Sequence, residues 1–269
     1  MIRYTISGKP VTEELERSIR SFAFDNLSLL QFEFREGFQE EFYEVEASKP
    51  KAQLVFGDRF RMDRQRWGGL SSAMVRVSKH LSKLSRTGRP VVVACWDDPD
   101  AMSPSPLLIG KEFKRLVAGF FNNIGYVEPR VDQQGNVQYP PKVHFLPSGN
   151  LSLCRCNPLL AKALQERRTT WCPLNFEAIL RHSGGSFLCL IYGPYGVGKT
   201  YSFGTLPDPI ALVNVESKDP REVLAPFAEA GKEIIVYEPE SSPERIEDYF
   251  QEIMGQLERF LQLVREENR

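Results

Sequence analysis

Ile191-Tyr192-Gly193-Pro194-Tyr195-Gly196-Val197-Gly198-Lys199-Thr200 carries the pattern G-x-x-x-x-G-K-[ST] from Gly193 to Thr200. The apolar run Phe187-Leu188-Cys189-Leu190-Ile191-Tyr192 before it has the length of a buried strand, and Tyr201-Ser202-Phe203 after it can begin a helix. Closely spaced glycines let the backbone turn tightly and aim its N–H groups at phosphate oxygens. The helix that follows adds its positive end. Gly193, Pro194, Tyr195, Gly196, Val197, Gly198, Lys199, Thr200 and Tyr201 are therefore the expected contacts of a phosphate-bearing ligand such as ATP. Lys199 is expected to reach the β/γ-phosphates, and the Thr200 hydroxyl to join the shell of a Mg²⁺ ion. A glycine-rich turn that merely opens a helix is the plainer alternative; a strand before it and a helix after it favour the phosphate site.

The rest of the chain is of ordinary globular composition, 42% hydrophobic and 26% charged over 269 residues. A formal net charge of −1 conceals segregation. Glu13 to Glu46 holds ten acidic and three basic residues, whereas Lys51 to Arg89 holds ten basic and two acidic. That contrast points to an anionic partner. Five cysteines is an odd number, and Cys154-Arg155-Cys156 lacks zinc-knuckle spacing. Cys95 and Cys189 lie in apolar runs, so reduced thiols and a reducing compartment are expected, with no metal held by the thiols. The N-terminal residues form no signal peptide, and no run reaches membrane-spanning length, so a cytoplasmic protein without a membrane partner is the expectation.

Several further elements are legible in chain order. Thr12 to Arg20 reads as a short helix capped by Thr12. Phe22-Ala23-Phe24-Asp25 is an apolar run ending in an acid, the pattern of a strand that delivers a carboxylate to Mg²⁺. Phe32 to Lys51 is acidic with interleaved aromatics. Arg59, Arg61, Arg64, Arg66 and Trp67 mix cations with an aromatic ring, as suits single-stranded nucleic acid, although a solvated basic helix fits equally well. Leu70 to Leu84 has helical spacing and closes at Thr87-Gly88-Arg89-Pro90. Val91 to Trp96 is a second buried strand, and Gly110 to Phe121 a helix. Ile124 to Arg155 reads as short β pieces separated by hairpin-type turns at Asp132 to Asn136 and Pro147 to Asn150. Lys162 to Thr170 is helical in character, and Trp171 to Arg181 a short helix or loop. Ile210 to Val215 is a third buried strand with Glu216 at its end. Arg221 to Ala230 is a helix and Glu233 to Tyr237 an edge-like strand. From Ser242 onward, Ile246, Tyr249, Phe250, Ile253, Leu257, Phe260, Leu261 and Val264 form the apolar stripe of a long helix. Alternating helices and strands predict an α/β fold with a mostly parallel central sheet and an appended antiparallel meander.

Taken from Trp171 to Arg269 and then from Met1 to Arg168, the sequence resembles the RecA-like P-loop ATPases, most closely the phage RecA-like recombination ATPases associated with single-strand annealing. Four stretches carry the likeness: Ile191 through Thr200; Val213-Asn214-Val215-Glu216-Ser217-Lys218-Asp219-Pro220; Phe22-Ala23-Phe24-Asp25-Asn26; and Val91 to Trp96 with Pro106-Leu107-Leu108-Ile109-Gly110-Lys111. The resemblance implies a three-layer RecA-like fold in circularly permuted order. It implies one ATPase domain over 1–269, with the carboxylate strand, sensor strand and meander in 1–168 and the P-loop in 169–269. Trp96 and Asp97 depart from the family, standing where a polar sensor of the γ-phosphate is frequent.

By that resemblance, Glu216 activates the attacking water, Lys199 holds the phosphates, and Thr200 with Asp25 positions Mg²⁺. A homo-oligomer completed by a cation from the neighbouring subunit is implied, Lys111, Lys114 and Arg115 being candidates for it. Single-stranded DNA and a single-strand annealing or binding protein are the implied partners, in a phage or bacterial context, with recombination or repair as the process. A P-loop kinase or other phosphotransferase, and a non-catalytic nucleotide-binding assembly protein, are the competing readings of the same motif.

Overall fold

The computed structural model describes residues 1–28, 75–108, 119–216, 218–240 and 246–267. Nine strands make one mixed sheet: β1 (Ile2–Thr5), β2 (Ser21–Asp25), β3 (Val91–Trp96), β4 (Asn123–Val131), β5 (Val137–His144), β6 (Trp171–Pro173), β7 (Leu188–Gly193), β8 (Ile210–Asn214) and β9 (Ile234–Glu238). Their order across the sheet is β1-β9-β8-β2-β3-β7-β4-β5-β6. Strands β9, β8, β2, β3, β7 and β4 run parallel, with β1 antiparallel at one margin and β5 and β6 antiparallel at the other.

Strands covered on both faces lose the alternation of a half-exposed sheet and read as unbroken apolar runs. Every residue of β2, β7 and β8 is buried. Successive side chains still part to opposite faces. Val91, Val93 and Cys95 join one cluster, with Val77, Leu81 and Leu84 of helix α2 (75–85) and the stripe of helix α7 (Ile246–Glu267). Val92 and Ala94 join the other, with Leu160 and Leu164 of α3 (Pro158–Glu166), Ile179 of α4 (Phe176–Leu180), Phe203 of α5 (Lys199–Phe203) and Leu224 of α6 (Arg221–Glu229). Helices on both faces of a mostly parallel sheet make a three-layer α/β arrangement. Helix α1 (Glu13–Arg17) is capped as expected, the Thr12 hydroxyl accepting from the Leu15 N–H.

Five expectations change. The strand expected at 233–237 is interior: β1, not foreseen, pairs with it from Ile2 opposite Glu238 to Thr5 opposite Ile235. The stretch 171–181 opens with β6 before α4 begins, and the helix expected at 162–170 lies at Pro158–Glu166, where Asn157 caps it. The meander is less separate than expected. Strand β4 first extends the parallel sheet beside β7 and then continues into the β4–β5 hairpin, with β6 as the third strand. The turn at 147–150 joins no hairpin; only the bridge between Ile124 and Arg155 follows it. The helix expected at 110–121, with Lys111, Lys114 and Arg115, and the basic, aromatic segment with Arg59, Arg61, Arg64, Arg66 and Trp67 lie outside the described residues, 119 to 121 excepted.

Register places the ends of the parallel strands along one margin of the sheet. Asp25 of β2 stands opposite Asn214 of β8, and Trp96 of β3 opposite Gly193 of β7. Loops leaving these ends converge, which is where open α/β sheets form their crevices.

Candidate functional site

Strand β7 ends at Gly193, and its neighbour β4 comes so close that a Cβ there would stand 2.3 Å from the Val127 carbonyl oxygen. No side chain fits at this position. The loop then runs through Pro194, Tyr195, Gly196 and Val197 to Gly198, whose φ of 90 is left-handed and whose absent Cβ leaves room for the Tyr139 ring. Helix α5 starts immediately afterwards. Val197 is buried in the core under the loop, whereas Tyr195 is 69% exposed beside the cleft.

Lys199 turns back under this loop. Its Nζ donates to the Gly193 carbonyl at 2.8 Å and to the Pro194 carbonyl at 2.7 Å. Burial lowers its pKa to about 8, an effect opposed by the neighbouring acids Asp25, Glu216 and Asp97. One residue on, the Thr200 hydroxyl donates to Asp25 Oδ1 at 3.4 Å, joining residues 175 apart in sequence. Asp25 is buried, and its pKa is pushed up to about 7, first by that burial and then by Glu216, against the pull of Lys199 and Thr200.

Glu216 leaves the end of β8 on the far side of β2. Its backbone N–H donates to Asn214 Oδ1 at 3.3 Å, and Asn214 Nδ2 donates to Glu238 Oε1 at 2.7 Å. Glu216 Oε1 accepts from Asn26 Nδ2 at 2.6 Å. Asp25, Lys199, Thr200 and Glu216 thus line one open cleft, with Asn26, Trp96, Gly196, Gly198 and Lys218.

An aromatic ledge forms one side of the cleft. Tyr139, reaching over from β5, stacks on Tyr201 with ring centroids 4.7 Å apart, and Tyr201 meets Phe227 of α6 at 4.8 Å. Lys218 Nζ lies 6.0 Å from the centre of the Tyr195 ring. Of the residues expected from sequence, Tyr195, Gly196, Gly198, Lys199, Thr200, Tyr201, Asp25 and Glu216 line the cleft; Gly193, Pro194 and Val197 belong to the loop without lining it. Asn26, Asn214 and Lys218 lie in stretches that carry the resemblance but were given no role there, and Tyr139 was missed because it acts from a hairpin distant in sequence. The five cysteines are free thiols, and burial raises Cys95 to about 12.

Chemically, the cleft presents one buried cation, a hydroxyl beside a buried carboxylate, and a second carboxylate held by an amide. Its donors toward a cation are hard oxygens, and no cluster of three or more His, Cys, Asp or Glu occurs among the described residues. Among those residues, no helix is long and apolar enough to cross a membrane. Compared with family models, curated proteins and solved structures, the chain gives no significant match.

Proposed function

We propose that the chain is a Mg·ATP-hydrolysing ATPase of RecA-like type in permuted order, acting with single-stranded DNA in recombination or repair. The observation that carries this reading is the meeting of Lys199, Thr200, Asp25 and Glu216 in one cleft, although they come from opposite ends of the chain. Three separate strands deliver them, and a bare glycine turn would require none of the acids. The oxygen donors also fit the metal. Mg²⁺ keeps several waters and takes few protein ligands beside the substrate phosphates, so Thr200 and Asp25 suffice to hold it. A buried carboxyl that is half protonated near neutrality, beside a hydroxyl, is a group whose environment a cation would satisfy.

In this reading the amides from Gly193 to Thr200 bind the phosphates, and Lys199 exchanges its loop carbonyls for phosphate oxygens. When bound, Mg²⁺ supplies neutralisation of charge on the β/γ oxygens. Glu216 orients a water. A lone pair of that water forms the new bond to the γ-phosphorus while the bond to the bridging oxygen breaks, its electron pair leaving on ADP; the water's proton goes to Glu216. The Tyr139–Tyr201 ledge lies beside Gly198 and offers a ring face to the nucleoside.

Sheet order supports the permutation. With β1 left out of the count and numbering started at β7, the order across the sheet reads 8-7-6-1-5-4-2-3 from β6 to β9, so the glycine loop leaves a central strand and the Asp25 strand is two strands away. The end of α7 also lies where β2 begins: Arg89 donates to the Ile19 carbonyl at 2.9 Å and pairs with Glu267. A chain leaving α7 there is beside the start of the Asp25 strand.

ATP hydrolysis measured with and without single-stranded DNA tests the reading. Hydrolysis that DNA stimulates, with DNA affinity falling steeply as salt rises, is the expected result. Phosphate transfer to a small acceptor without any DNA response would establish the kinase alternative. ATP binding without turnover would establish the assembly protein.

A further inference from the structure

Asn26 follows Asp25 at the end of β2 and belongs to no part of the glycine-rich motif. Its backbone is left-handed, with φ 57, a region asparagine enters more readily than other residues with a Cβ. Its side chain is 1% exposed and lies in the wall of the cleft. Nδ2 donates to Glu216 Oε1 at 2.6 Å, whereas Oδ1 is buried with no hydrogen-bond partner among the described residues.

Chemistry fixes which way this amide faces. An ionised carboxylate only accepts, so the nitrogen must point at Glu216 and the oxygen away from it. Leaving a buried amide oxygen unsatisfied costs about 1–3 kcal/mol. A residue needed only to end a strand has no reason to carry that cost, and a glycine would hold the same φ without it. Glu216 is a side chain with several free rotors, and its backbone N–H donates to Asn214. Its second carboxylate oxygen takes no hydrogen bond among the described residues. The Asn26 contact ties down one oxygen and leaves the other open to the cleft.

We propose that Asn26 is the positioning residue for Glu216, fixing the carboxylate so that its open oxygen meets the attacking water; this rests on the hydrolytic reading above. The register makes the contact possible: Asp25 stands opposite Asn214, so Asn26, one residue on, and Glu216, two residues on, leave neighbouring strands at the same margin of the sheet.

The test is a double-mutant cycle on Mg·ATP turnover, read as kcat and KM separately. Asn26→Gly keeps the left-handed backbone and removes the amide. It is expected to lower kcat about ten- to a hundredfold, the scale of misplacing a catalytic group, with KM and Mg·ATP affinity within about twofold. Asn26→Asp keeps the shape but sets a carboxylate against Glu216, and the same loss is expected; it carries the cycle if the glycine variant does not fold. In a Glu216→Gln background neither change should lower the residual rate further. An Asn26→Gly kcat within twofold of the unmodified chain overturns the inference, as does a loss that persists undiminished on Glu216→Gln. No turnover by the unmodified chain defeats the hydrolytic reading itself, a different outcome from either of these.

Discussion

Lys199, Asp25 and Glu216 are three charged groups kept partly or wholly from water, and each should answer to substitution differently. Lys199→Ala removes the cation under the loop; Mg·ATP binding measured by calorimetry should weaken at least about a hundredfold, the cost of stripping a charged partner from buried phosphate. Asp25 gives a pH signature. With its pKa at about 7, it must lose a proton before it can hold a cation. Mg²⁺ affinity should therefore rise about tenfold per pH unit up to about 7 and flatten above, with a proton released to buffer on binding. Titration calorimetry in buffers of different ionisation heat reads both; a flat profile would contradict the buried, coupled carboxylate. The same raised pKa works against the empty fold: its contribution to stability is greatest below the ordinary aspartate pKa and is lost as pH rises through about 7. Asp25→Asn should accordingly stabilise the cation-free protein at pH 8, by up to about 4 kcal/mol in chemical denaturation, while abolishing the Mg²⁺ response. A destabilised Asp25→Asn would argue that the carboxylate is a structural partner of Thr200.

Strands and helices set where these groups meet, and the glycine loop depends on the hairpin beside it. Gly198→Ala faces two penalties, a φ of 90 and a Cβ 2.6 Å from the Tyr139 ring. It should lose about 1–3 kcal/mol and weaken nucleotide binding; Tyr139→Ala in the same chain should recover the part due to the clash. On the other face, Ile253 of α7 is fully buried against the sheet, and Ile253→Ala should cost about 2–5 kcal/mol in denaturant. The elements that build the site were those most readable from sequence. Phe22 to Asp25, Val91 to Cys95, Leu188 to Gly193 and Ile210 to Asn214 are buried on both faces, and their largely apolar runs say so. The margins were not readable. Ile2-Arg3-Tyr4-Thr5 has no distinctive pattern because one side of an outer strand meets water, and only its pairing with Ile235 to Glu238 makes it a strand. That missing partner is also why β9 looked like an edge. Trp171 to Pro173 is three residues long, too short for periodicity. Asn26 and Tyr139 matter through neighbours 190 and about 60 positions away in the chain, a relation that local pattern cannot carry.

Taken as a whole, the chain places its glycine loop late and its Asp25 strand early, yet the sheet brings them within one strand of each other, β3 lying between β2 and β7. If order along the chain is incidental to this packing, a rearranged protein should fold. One that starts at Trp171, joins residue 269 to Met1 through a flexible linker and ends at Arg168 is expected to keep the unmodified secondary structure and to lie within about 2 kcal/mol of its stability. The linker must cover roughly 22 Å, because Met1 pairs with Glu252, some four turns before the end of α7. Circular dichroism and denaturant titration decide the matter, and a rearranged chain that fails to fold with linkers of several lengths would show that the present order is required. The deciding measurement for function is single-turnover hydrolysis of Mg·ATP by the unmodified chain beside Glu216→Gln. The expected result is phosphate release by the first and tight binding without release by the second, a fall of about a hundredfold or more. Equal rates in the two proteins, or none in either, would contradict an ATPase built on Lys199, Asp25 and Glu216.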